Sequence, residues 1–163
     1  MRFTCLLALL LLATVLPPAT PATEELRRFP SSVLSIRTRQ STEWFNVWIA
    51  DTSQRQEQGL MYQKWLPTDW SMLFPEQAPR VKSMWMKNTL IPLDMLFIDP
   101  KGRIVYIRER ATPESEQIIS YPVAVKAVLE LSGGTCARLG IRVGDQVHHA
   151  LFGASPGGPA VVN

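Results

Sequence analysis

The chain is patterned mainly in short runs where apolar and polar residues alternate, the mark of half-buried strands. Val33–Thr38 alternates in this way. In Trp44–Ala50, period two puts Trp44, Asn46, Trp48 and Ala50 on one face, with Phe45, Val47 and Ile49 on the other. Gln40-Ser41-Thr42-Glu43 between them predicts a hairpin. Met72–Phe74 reads as a short buried strand before a Pro75–Pro79 connection. Val81–Lys87 reads as a further strand, with Val81, Ser83, Trp85 and Lys87 opposite Lys82, Met84 and Met86. Asp94–Asp99 and Arg103–Arg110 flank Pro100-Lys101-Gly102, a hairpin turn signal. Val123–Leu131 is another strand, with Lys126 and Glu130 on one face. Ile141–His149 closes the pattern through a Val143-Gly144-Asp145-Gln146 turn.

Two short helices interrupt these strands. Thr52–Gln58 follows a capping residue, Asp51 or Thr52, and stops at Gly59. Gly133–Gly140 is bracketed by glycines. Frequent strands divided by turn signals, with too few helices for repeated βαβ units, predict a mainly β fold. The expectation is a compact β-sandwich or barrel-like domain over residues 33–149, with about eight short strands and two short helices. Thr23–Ser32 is expected to be a flexible start to the mature chain. Ala150–Asn163, rich in Gly and Pro, is expected to be a disordered tail.

The first 22 residues follow a different pattern. Arg2 precedes an apolar run from Leu6 to Leu16, too short to span a bilayer as a helix. Thr20-Pro21-Ala22 offers small residues for cleavage after Ala22, and Pro17, Pro18 and Pro21 would break a continuing helix. Residues 1–22 therefore read as a signal peptide, which implies export to a periplasmic or extracellular space and no membrane span after cleavage. Cys5 precedes the apolar run and is not placed for lipid attachment. Of the two cysteines only Cys136 then remains, which excludes an internal disulfide.

Composition adds little. The apolar fraction of 46% and charged fraction of 19% are ordinary for a globular domain. A formal charge of +3 is too small to predict nucleic-acid binding. His148 and His149 are adjacent, so a strand points them to opposite faces, and no cysteine pair assists them. No metal site or cofactor is predicted. Phosphate-loop, dinucleotide and nucleophile-elbow motifs are absent.

The candidate chemistry lies in Met84–Asp99, a dense apolar run holding Lys87, Asn88 and Asp94. Polar groups in such a run need water, a partner or a ligand, because burying one unpaired costs about 1–3 kcal/mol. Trp85 adds an apolar wall, and Glu130 is an acid within an apolar strand. The candidate ligand-binding set is therefore Trp85, Lys87, Asn88, Asp94 and Glu130, suited to a small anionic or polyhydroxylated ligand. A structural reading stands beside it: Asn88 as a turn residue, and Lys87 and Asp94 as an ion pair closing the bend at Pro92. For Glu130 the candidate partners are Lys126 and Lys87. Ser132-Gly133-Gly134 opens a helix and reads as a plain N-terminus.

A family resemblance rests on a succession of short strings. Gly59-Leu60-Met61 is followed by Met72-Leu73-Phe74, and then by Trp85-Met86-Lys87-Asn88-Thr89-Leu90-Ile91-Pro92-Leu93-Asp94. Phe97-Ile98-Asp99, Val128-Leu129-Glu130-Leu131, Gly140-Ile141 and Gly144-Asp145 complete the order. From Val47 to Val147 this resembles the DUF192 family of small bacterial and archaeal proteins. The resemblance implies a compact β-sandwich or barrel with small helices, and members are often exported. It brings no agreed activity or catalytic set. Ser71 stands where the family commonly has Gly, and Gln56–Gln58 replaces a more basic run.

Three functions remain open on these residues. One is a binding or accessory module in the exported space, taking a small polar ligand or serving another exported protein. Another is a hydrolase or lyase with Lys87 and Asp94 as an acid–base pair. The third is an interaction domain presenting the Trp65–Trp70 loop. The export expectation is checked by mass spectrometry of the native protein, which should begin at Thr23 or within a few residues of it. An intact Met1 in the membrane fraction would contradict it.

Overall fold

The computed structural model describes residues 26–154 of the chain. The expected signal peptide and most of the expected tail lie outside the described residues. The fold is mostly β. Its strands are β1 (Ser31–Arg37), β2 (Thr42–Ile49), β3 (Trp70–Arg80), β4 (Ser83–Met84), β5 (Leu93–Ile98), β6 (Ile104–Ala111), β7 (Ile119–Ser120), β8 (Val125–Ser132) and β9 (Gln146–His148). Helices α1 (Ser53–Gln58) and α2 (Thr135–Leu139) are one to two turns long. Seven strands form one sheet in the order β6-β5-β8-β3-β2-β1-β9, curled into a half-barrel, and β4 pairs with β7 apart from it. The outer strands approach each other at one bridge, Arg103 to Gln146.

Both faces of this sheet are covered. Leu34, Ile36, Val47, Leu73, Leu96, Leu129 and Val147 pack together on the inner face with Cys136 and Ile141. Trp48, Met72, Phe74, Met95, Phe97 and Val128 pack on the outer face beneath Leu60, Met84 and Met86. Two-sided cover explains why every residue of β5 is buried. It also explains the even split of β8, where Ala127, Leu129 and Leu131 face inward and Val128 and Glu130 face outward.

The hairpin turn at Pro100-Lys101-Gly102 forms as the sequence predicts. Asp99 accepts from the Lys101 and Arg103 N–H groups, and Gly102 takes φ +80°. A side chain at Gly102 would meet the Val147 carbonyl at 2.5 Å, so the turn and β9 approach closely only because that residue is glycine. Thr52 caps α1 through the Arg55 N–H at 3.2 Å.

Four stretches differ from expectation. The Met72–Phe74 strand extends through Arg80, although Pro75 and Pro79 lack N–H donors. The register with β8 breaks between Pro75 and Arg80, as that loss requires. Val81–Lys87 is extended, but only Ser83 and Met84 are laddered. Its alternation survives without the sheet, because Lys82, Met84 and Met86 are buried while Val81, Ser83 and Trp85 are exposed. The expected loose start holds Leu26 and Phe29 in the outer core, where their apolar area outweighs the charges around them. The expected tail begins with a 3-10 turn, Ala150–Phe152, whose Leu151 and Phe152 pack on the inner core. His149 Nδ1 caps this turn, accepting from the Leu151 N–H at 3.1 Å, and burial holds the imidazole below its ordinary pKa.

The Trp65–Trp70 loop splits in two. Trp70 stacks on Trp48 with ring centroids 4.1 Å apart, while Trp65 is 59% exposed. Among the described residues no helix is long and apolar enough to cross a membrane.

Candidate functional site

The sheet's pleat decides which polar residues can meet. Leu93, Met95 and Phe97 face the outer core, so Asp94 between them faces inward. There its carboxylate is fully buried, and it accepts three backbone N–H groups. Oδ1 takes Arg110 at 2.8 Å and Gly134 at 2.9 Å, and Oδ2 takes Cys136 at 2.8 Å. Burial in this apolar corner, with the Asp94 carboxylate alongside, pushes the Cys136 thiol well above its ordinary range, so it is an inert core group.

This corrects the grouping expected from the sequence. Lys87, Asn88 and Asp94 do not converge, and no ion pair joins Lys87 to Asp94 among the described residues. The acid–base pair proposed for them loses its geometry, because Asp94 is sealed on the opposite side of the sheet from Lys87. Asn88 is a turn residue at φ +55°, with its carbonyl accepting from the Tyr62 N–H at 2.8 Å. Trp85 and Lys87 do meet, with the ammonium 5.4 Å from the indole centroid.

Glu130 lies on the outer face, paired across the sheet with Met72 on one side and Met95 on the other. It opens onto a cleft of about 500 Å³. Helix α1 and the turn after it supply one wall, with Gln56, Gln58, Leu60 and Met61. The extended run supplies the other, with Arg80, Lys82, Met84, Trp85 and Lys87, and Phe74 and Glu130 form the floor. Gly59, at φ +47°, bends the α1 wall over the Phe74 ring, where a side chain would sit 3.2 Å from it.

Lys82 is a residue that the sequence did not mark for the site. It is 5% exposed, donates to Gln56 Oε1 at 2.8 Å and is ion-paired to Glu76. Glu76 also binds Arg80. Burial works against ionisation of Glu76, but the hydrogen bonds from Arg80 and Lys82 outweigh it, and the carboxyl lies below its ordinary range. Lys126, a candidate partner for Glu130, instead donates to the Glu76 and Gln77 carbonyls at 2.8 and 3.0 Å.

Two groups at the cleft lack partners. Gln58 Nε2 is buried without a hydrogen bond among the described residues. The Glu130 carboxyl accepts no hydrogen bond from a described residue. Burial pushes its pKa up from 4.5 to about 8, and the Lys82 charge offsets only part of that. At neutral pH the carboxyl is therefore mainly protonated and presents an O–H donor to the cleft. Between pH 4.5 and about 8 the folded protein holds a proton that the unfolded chain has released. Stability should therefore fall as pH rises through that window and level off above it, by roughly 3–5 kcal/mol in total. Urea unfolding should show this slope in the wild type and a flatter profile in Glu130→Gln. Parallel profiles would contradict the assignment.

Four of the seven strings that carried the family resemblance reach this cleft, while Phe97-Ile98-Asp99, Gly140-Ile141 and Gly144-Asp145 lie elsewhere. Gly59-Leu60-Met61, Phe74, Trp85, Lys87, Thr89 and Glu130 all line it. The family model DUF192, described as "Uncharacterized ACR", matches residues 34–149. No curated protein matches the chain. A crystal structure from Sinorhizobium meliloti 1021, described as a "putative transcription regulator", is 41% identical. The match covers 76% of this chain and 96% of that one, with a TM-score of 0.74. A protein of unknown function from Novosphingobium aromaticivorans DSM 12444 is 31% identical over 83% of this chain and 94% of its own, again with a TM-score of 0.74. By the extent of the family match, over residues 34–149, the chain belongs to the DUF192 family.

Proposed function

We propose that this protein is an exported binding module whose cleft takes a small anionic or polyhydroxylated ligand. One observation carries the reading: separate family-marking stretches line a single cleft whose floor holds a buried carboxyl without a hydrogen bond. A buried polar group without a partner costs about 1–3 kcal/mol, and a ligand atom seated against it would recover that cost. The lining favours an anion or a neutral polyol over a cation. Lys82, Lys87 and Arg80 outnumber Glu57, the lining acid outside these contacts, while Glu130 is mainly protonated at neutral pH and Glu76 is already bound to Arg80 and Lys82. Trp85 is 42% exposed and offers an apolar plane at the rim. An enzymatic reading has less support, because the acid that would pair with Lys87 is spent on backbone N–H groups across the sheet.

A melting-shift screen of small carboxylates, phosphates and sugars tests the proposal. A ligand at a hundred times its Kd should stabilise the wild type by about 2.7 kcal/mol. Trp85→Ala and Lys87→Ala should remove the shift while costing the fold less than about 1 kcal/mol. Asp94→Ala should do the reverse, destabilising by several kcal/mol with the cleft intact. A screen with no shift, or a shift that survives both rim variants, would overturn the cleft as the ligand site.

A further inference from the structure

A second concave surface lies apart from the cleft, where the curled sheet comes closest to closing. Here β9 lies between β1 and the start of β6. Gln146 pairs with Arg37 on one side and bridges to Arg103 on the other. Directly paired residues of neighbouring strands project to the same face, and strands lie about 4.8 Å apart. Arg37 and Arg103 therefore stand on one face at a backbone separation of about 10 Å. A hollow of about 420 Å³ opens at this seam, lined by Arg37, Arg39, Arg103 and Arg142. A second hollow of about 450 Å³ shares Arg39, Arg142 and Asp145 with it and adds Arg138 from α2.

Five exposed arginines from separate parts of the chain thus surround two adjoining hollows. None of the five guanidinium groups makes an ion pair or hydrogen bond with a described residue, whereas Arg55 and Arg80 elsewhere are paired with Asp51 and Glu76. The two acids lining the hollows are engaged locally. Asp145 accepts from the Arg142 N–H at 2.7 Å, and Glu43 accepts from the Ser41 hydroxyl at 2.6 Å. Their charge offsets part of the field, but their hydrogen bonding is not directed at the arginines.

We infer that this arginine-lined seam binds an anion carrying two or more phosphate groups, with neighbouring guanidiniums gripping separate phosphates. Guanidinium forks match phosphate oxygens in bidentate geometry, and the spacing across Gln146 favours a multiply charged ligand over a single small anion. The phosphates could be those of a soluble polyphosphorylated molecule or of lipid headgroups side by side. Both present the same chemistry to the seam.

The test measures binding of tripolyphosphate by calorimetry, and of phosphatidylglycerol-containing vesicles by co-sedimentation, at low and physiological salt. It compares the wild type with Arg39→Ala/Arg142→Ala and with a charge-matched control, Arg28→Ala/Arg108→Ala, away from the hollows. The expected result is salt-sensitive binding that falls about tenfold in the seam variant and much less in the control. Arg39→Lys/Arg142→Lys should restore it only in part, because lysine keeps the charge and loses the fork. Tripolyphosphate binding with this pattern supports a soluble ligand, and vesicle binding with this pattern supports lipid headgroups. No binding to either probe, or equal loss in seam variant and control, would overturn the inference. Because Trp85 and Lys87 lie in the other cleft, the seam variant Arg39→Ala/Arg142→Ala should keep the melting shift of any ligand that the cleft takes, so the two sites stand or fall separately.

Discussion

Asp94 is fully buried in a strand covered on both faces, and its carboxylate takes N–H groups from Arg110, Gly134 and Cys136. Those donors lie at the end of β6 and on either side of the start of α2. One side chain thus fixes the outgoing end of the β5–β6 hairpin and the turn that carries β8 into its helix. The glycines around it fit the same contact. Gly133 donates to the Pro92 carbonyl at 2.9 Å, and a side chain there would meet Pro92 at that same 2.9 Å. Gly134, at φ +89°, leaves room for the Arg110 guanidinium. An aspartate at this place has a structural reason to be buried: three N–H donors replace its water.

Glu130 shows the opposite case on the other face of the same sheet. It sits between Met72 and Met95, with no hydrogen bond to hold it ionised. Lys82 is the nearby cation, but its ammonium is already divided between Glu76 and Gln56. One buried acid has its hydrogen bonds within the fold, and the other has none among the described residues. That contrast is the physical ground for placing a ligand at Glu130 and a structural joint at Asp94.

Much of the architecture was legible from alternation. Trp44–Ala50, Asp94–Asp99 and Val123–Leu131 all became strands within a residue or two of their expected ends, since burial on a pleated surface imposes period two. Alternation reports which side of an extended chain is buried, not whether a neighbouring strand bonds it. Hence Lys82, Met84 and Met86 were sorted correctly from Val81, Ser83 and Trp85, while the Val81–Lys87 ladder was largely absent. The site was only partly legible. Trp85, Lys87 and Glu130 reach one cleft. Asp94 was grouped with Lys87 by nearness in the chain, although the pleat between Leu93 and Met95 turns it away. Alternation puts Lys82 on the buried face but does not mark it for the site, because a buried lysine is intelligible only through its partners, and Glu76 and Gln56 are brought to it by folding. Leu26 and Phe29 were hidden by the charged residues around them.

The central claim is that Glu130 is a largely buried carboxyl on the floor of the cleft that accepts no hydrogen bond from a described residue. Carbon-13 NMR of the glutamate side-chain carboxyls tests it most directly, with the Glu130 resonance assigned by its loss in Glu130→Gln. The account predicts a titration midpoint near 8 for Glu130. A midpoint at the ordinary value of 4.5 would mean that water or a cation already satisfies the group, and would contradict the account.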